Sequence, residues 1–199
     1  MGTLGLGGAG RSRPKRRGRL LCIMRKPPPI PDWLRAFRHP SYTNIYELCP
    51  NEKHVFGTET LFGDWDADLL LLAKDYAPSH IIRQRIKSGE DSPFRHGVRC
   101  KDQMGWRTNE NLEKLAEEMG EVRLLYGSAL GGLMRNDGAT SGRLPDFTQL
   151  KRTFAARLLN WCIEHLPNLK GIACLGKDAL KVVSFCSVNR PGFVGGSIS

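Results

Sequence analysis

With 199 residues, 40% of them hydrophobic, the chain can build one domain with a full core. It has no apolar run of about 18 residues, the length a membrane-spanning helix needs. Net charge is +10, yet eight of the 30 basic residues (Arg11, Arg13, Lys15, Arg16, Arg17, Arg19, Arg25 and Lys26) fall in residues 1–26, which hold no acidic residue. That leaves 22 basic against 20 acidic residues, so the charge belongs to a leader and excludes a basic surface over the whole domain.

Residues 1–30 are rich in Gly, Arg and Pro and are expected to be disordered or extended. Such a leader can hold nucleic acid by neutralising phosphates. It can equally be a solvated segment without a role, or an extension upstream of a start at Met24. No apolar stretch follows its charges, so it does not read as a secretory signal. Six scattered cysteines, Cys22, Cys49, Cys100, Cys162, Cys174 and Cys186, form no C-x-x-C pair. They read as free thiols of a reducing cytoplasm and argue against a zinc ribbon or an iron–sulfur site.

The domain is expected over 31–188. A short helical turn at DWLRAF leads through Pro40 and Pro50 into an irregular stretch. Four consecutive leucines, Leu69 to Leu72, predict a strand of about 67–74 buried on both faces. Ser79 then caps a helix that Gly89 ends. A loop of about 89–107 carries Phe94, His96 and Trp106, and loops of that length usually have a function or no order. Leu112, Leu115, Ala116 and Met119 predict an amphipathic helix stopped by Gly120. A strand at 121–126 follows, then a glycine-rich loop from Gly127 to Pro145. Leu150, Phe154, Leu158, Cys162 and Leu166 stripe a helix of about 147–166. A third strand at 170–176 and a helix at 178–184 precede an irregular tail at 189–199.

This alternation implies an α/β fold with a mostly parallel sheet covered by helices. Ligands of open α/β sheets bind outside the carboxyl ends of the strands. Asp75, just past the most buried strand, is therefore a candidate for chemistry. Asp64, Asp66 and Asp68 precede that strand, lie at the opposite edge, and read as solvated strand-entry residues. GIACLGKD mimics a phosphate-cradling P-loop but fails as one. Its middle is the strand itself, and Asp178 stands where a hydroxyl is required. Lys177, beside a helix start, is a candidate phosphate contact.

The blocks LLLLAKDYAP, LLYGSALGGLMRNDG and GIACLGKDAL resemble, in order and spacing, the uracil-DNA glycosylase superfamily over about residues 55–185. The first is similar to its water-activating motif, G-Q-D-P-Y in the best-known branch. Ala73 stands for the glycine, Lys74 for the glutamine, Asp75 for the catalytic aspartate and Tyr76 for the proline. The third is similar to an I-x-x-L-G-K-x-A segment, ending here in Leu175, Gly176, Lys177, Asp178 and Ala179. In the second, Gly127 and then Ser128 stand where many members place a base-reading asparagine, and Asn136 falls on a later family asparagine. The C-terminal H-P-S motif, whose histidine stabilises the developing uracil anion, is missing: no histidine follows His165.

The resemblance implies a three-layer α/β/α sandwich and a base-excision-repair hydrolase that removes uracil or a related damaged base from DNA. Asp75 would position water and oppose an oxocarbenium-like sugar. Phe94, with Trp106 second, would stack on the flipped base, and Tyr76 would line the pocket wall. Lys74, Gly127, Ser128 and Asn136 would complete the base site, with Arg135 and Lys177 as phosphate contacts. The partner would be uracil-containing DNA, single- or double-stranded, with no cofactor, no metal and no membrane, in a cytoplasmic protein of undefined oligomeric state. Two other readings remain open: a non-catalytic DNA-binding relative, and a nucleotide- or small-molecule-binding domain of the same fold.

Overall fold

A computed structural model describes residues 25, 27–55, 60–75, 78–87, 107–136, 147–186 and 194–198. Its centre is β3 (Leu69–Ala73), where Leu70, Leu71 and Leu72 are all buried. A strand without alternation must be covered on both faces and flanked on both edges, and this one is. It lies parallel to β4 (Leu124–Ser128) on one side and to β6 (Gly171–Leu175) on the other. β7 (Val194–Ile198) extends the parallel set beyond β6, and β2 (Thr60–Gly63) closes the other edge antiparallel to β4. The strand order is β2-β4-β3-β6-β7, a mixed α/β fold in which β4, β3, β6 and β7 run parallel.

From β3 the chain moves outward to β4, then returns across β3 to β6 and onward to β7. The direction of travel reverses between β3 and β6. In open α/β sheets that reversal opens a crevice at the carboxyl ends of the strands.

The crossover from β3 to β4 carries α3 (Ser79–Lys87) and α4 (Arg107–Glu118). Gly120, at φ 67, adopts the left-handed conformation that ends α4. The crossover from β4 to β6 carries one long helix in three parts: α5 (Phe147–Leu150), a π-helical segment (Lys151–Ala155) and α6 (Ala156–Glu164). The sequence explains the interruption. Its buried stripe, Leu150, Phe154, Leu158, Cys162 and Leu166, advances in strict steps of four. Such steps overshoot a 3.6-residue turn, and a wider π turn absorbs the overshoot. Leu158, Leu159 and Cys162 of α6 then meet Leu70, Leu72 and Leu125 of the sheet. α7 (Lys177–Val183) follows β6 and touches α6.

Several expectations give way. The stretch after Pro40 is ordered: β1 (Tyr42–Asn44) pairs antiparallel with β5 (Leu133–Arg135). Asn44 and Glu47 form a capping box that starts α2 (Ile45–Leu48). Residues 27–30 are pinned rather than disordered, because Ile30 is buried, Ile30 N donates to Lys53 O, and Val55 N donates to Pro28 O. A short α1 (Asp32–Ala36) matches the predicted turn. The second strand begins at Leu124, since Glu121 and Val122 are exposed, and runs on to include Gly127 and Ser128. Pairing with a central neighbour outweighs their poor strand propensity. Within the expected irregular tail, residues 194–198 form β7.

The acidic residues before β3 are not simply solvated. Asp64 is buried and accepts from Arg25 N and Asp66 N. Asp68 is held by Arg123 and Lys170, at 3.0 Å each.

Candidate active site at the carboxyl ends of the parallel strands

Beyond Ala73 the chain leaves the sheet, and the turn after β4 fastens its backbone. Ala129 N donates to Ala73 O at 2.9 Å, and Leu130 N to Lys74 O at 3.1 Å. That turn closes through Gly131 N to Ser128 O and Leu133 N to Leu130 O, with Gly132 at φ 78. It delivers the chain into β5, whose last residue, Arg135, reaches back to Asp75. The Arg135 Nε and Asp75 Oδ2 atoms are 3.2 Å apart, with side chains 20% and 15% exposed. The two charges touch, but neither atom makes a hydrogen bond.

Tyr42 lies directly opposite Arg135 in the β1–β5 pair and is 3% exposed. Its hydroxyl also has no partner. Burial, then the Asp75 charge, pushes the phenol up to about 12, with Arg135 opposing and Asp178 adding to the rise. The Ser128 hydroxyl, at the end of β4, is buried and unpartnered as well. Among the described residues, these four atoms are the only buried side-chain polar atoms without a hydrogen bond. Tyr42 and Arg135 lie beside Asp75, and Ser128 ends β4 in register with Ala73. Buried groups normally find partners, so a cluster of orphans calls for a cause.

Lys74 points to other company. Its ammonium is 2.5 Å from Asp178, which Lys151 also grips at 2.9 Å. Both ammonium groups stand 4.6 Å from the centre of the Phe147 ring, within cation–π range. Burial opposes ionisation of Asp178, but the two lysine hydrogen bonds prevail and hold it below the usual carboxylate range. The clamp joins the end of β3, the first π-helical residue and the first turn of α7 across the β3–β6 reversal.

The remaining site candidates separate. Asn136 is used by the fold: Nδ2 donates to Pro40 O, Oδ1 accepts from Thr43 Oγ1, and its backbone N donates to Ser41 O. Its amide holds the β1 segment against β5. Gly127 is buried within β4, in register with Leu72. It lines an apolar cavity of about 10 Å³ between the sheet and α6, room for about one water and none for a base. Lys177 is the exposed first residue of α7. Tyr76, Phe94, His96 and Trp106 lie outside the described residues.

Sequence reasoning missed Tyr42, Lys151, Phe147 and Asp178 as members of this region. Tyr42 gave no signal, because a three-residue strand has no readable period. Phe147 and Lys151 read as ordinary helix residues, and only the packing of that helix against the sheet brings them to Lys74. Asp178 reads in sequence as the residue that spoils a P-loop and as part of the third block, with no sign of its two lysine partners.

Compared with protein-family models, curated proteins and solved structures, the chain finds no match.

Proposed function

We propose that the protein is a DNA glycosylase that hydrolyses the N-glycosidic bond of uracil or a related damaged base. The proposed architecture is a three-layer α/β/α sandwich with the parallel sheet as its middle layer. The observation that carries this reading is the Asp75 carboxylate, whose Oδ2 is buried without a hydrogen bond at the end of the central strand. A carboxylate at the end of the central strand, beside a reversal of strand order, is suited to orient a water and oppose a cationic sugar. The order of the three sequence blocks supports the same reaction class. The base must first leave the stack, which costs a few kcal/mol and least from single strands.

A second reading is favoured by one specific contact. Arg135 lies 3.2 Å from the same carboxylate oxygen and neutralises it. A site whose acid is paired with a guanidinium suits a relative that binds DNA without cleaving it.

One assay separates the two. Uracil-containing oligonucleotides, single- and double-stranded, are incubated with the full chain and with Asp75→Asn, then treated with alkali. The glycosylase reading expects strand scission by the wild type and a loss of about 10²- to 10³-fold in the variant. Equal activity would remove Asp75 from the mechanism. Retention of DNA with no abasic product, weakening steeply with salt, would favour the binding protein.

A further inference from the structure

In the proposed reaction the departing base acquires negative charge, which donors already placed beside Asp75 would stabilise. Two buried donors beside Asp75 make no hydrogen bond: the Tyr42 hydroxyl and the Arg135 Nε–H, the latter only in ionic contact with Asp75. They are register partners, so one antiparallel pair of strands carries both. That pair is held firmly in place. Asn136 ties it to Pro40 and Thr43, Arg83 Nη2 donates to Thr43 Oγ1, and Ile45 N donates to Gly132 O.

We infer that Tyr42 and Arg135, carried by β1 and β5, form a donor pair for the anionic carbonyl oxygen of the departing base. The inference rests on the glycosylase reading. In that reaction the C1′–N bond breaks with both electrons going to the base. A water oxygen bonds to C1′, its proton passes through Asp75 to solvent, and the base anion takes a proton from solvent. The sugar thus becomes positive as the base becomes negative.

Asp75 and Arg135, side by side at 3.2 Å, form a fixed dipole of matching sense. The carboxylate serves the sugar and the guanidinium serves the base. This arrangement turns the ion pair from an obstacle into part of the device. A dipole already in place needs no reorganisation as charge develops. With its pKa pushed up to about 12, the Tyr42 phenol keeps its proton at neutral pH and acts as a neutral donor. Its orphaned state without substrate is then expected, since its acceptor arrives with the base.

The test exploits the leaving group. Single-turnover rates are measured for the full chain, Tyr42→Phe and Arg135→Gln on oligonucleotides carrying uracil or 5-fluorouracil. The fluorine withdraws electrons, so that base anion needs less help from the protein. Each variant should lose about 100-fold on uracil and about tenfold or less on 5-fluorouracil, the size expected for one donor. The melting temperature of Tyr42→Phe should be unchanged or higher. Equal losses on the two substrates, or no loss in either variant, would overturn the donor pair while leaving a glycosylase standing. Should Arg135→Gln fail to fold, Tyr42→Phe alone carries the comparison. A wild type inactive on both substrates overturns the glycosylase reading and the donor pair together.

Discussion

Tyr42 illustrates how a residue without any sequence signal becomes central. Its hydroxyl is buried beside two charges and bonds to nothing within the chain. An unsatisfied buried hydroxyl costs about 1–3 kcal/mol, so its presence works against stability. Tyr42→Phe should therefore unfold at an equal or higher urea concentration, with up to about 1–3 kcal/mol gained. A lowered midpoint would mean that the hydroxyl holds a partner in the folded protein. Asp75 shows the converse. Its place at the end of four leucines was legible because an apolar run that stops at a charge marks a strand end. Its ion pair with Arg135 was not, since 60 residues separate the two in sequence and only the turn through Gly132 joins them. Asn136 matched a family asparagine by spacing, yet both ends of its amide serve the β1–β5 pair.

Among the elements, α7 shows how strain and a side-chain clamp cooperate. Gly176, between β6 and α7, sits at φ 104 and ψ 166, a region open to glycine almost alone. Nothing lies within 4 Å of the Cβ that a larger residue would bring, so the constraint is purely conformational. Gly176→Ala should lower stability by about 1–3 kcal/mol in thermal unfolding, from backbone strain alone. A neutral result would show that the strand-to-helix turn relaxes into another geometry. The long helix makes a different point. Its stripe of apolar residues was readable by period, whereas the π turn that it contains was not. Steps of four fit an α-helix well enough over one turn, and the discrepancy accumulates only over several. Short elements escape any such reading: β1 and β5 have three residues each and exist because they pair with one another.

Across the whole molecule, the two ends of the sheet are treated in opposite ways. At the amino-terminal end Asp68 binds together the starts of three strands. Its side chain takes Arg123 and Lys170, its backbone N donates to Arg123 O, and its carbonyl accepts from Lys170 N. At the carboxyl end lie Asp75, paired with Arg135, and Ser128, whose buried side-chain atoms make no hydrogen bond. One end is closed by hydrogen bonds and ion pairs, whereas the other keeps buried polar atoms without hydrogen bonds. The saturated end makes stability depend on pH. The Arg123 hydrogen bond, helped by Lys170 against the effect of burial, holds Asp68 below the usual carboxylate range. A carboxyl depressed in the folded state adds stability in full above its unfolded value of about 3.9 and loses it as pH falls through the folded one. Asp178, depressed by its two lysines, behaves alike. Urea midpoints should thus be level near neutrality and fall below about pH 4. Arg123→Gln should flatten that fall by removing the main partner of Asp68. An unchanged acid slope would show that other carboxyls dominate it. No helix of the described residues is long and apolar enough to cross a membrane.

By itself the sequence determined the α/β class, the central strand, the main helices and the position of Asp75. Each of these is written locally, in runs of leucine, in steps of three and four, and in glycines that stop helices. What only the tertiary structure decided is everything that depends on residues far apart: the β1–β5 pair, the strand formed by residues 194–198, the lysine clamp on Asp178, and the meeting of Tyr42 and Arg135 with Asp75. Hydrophobic period reports which face of an element is buried. It carries no information about which distant partner lies against that face, and the surroundings of Asp75 are made of such partners.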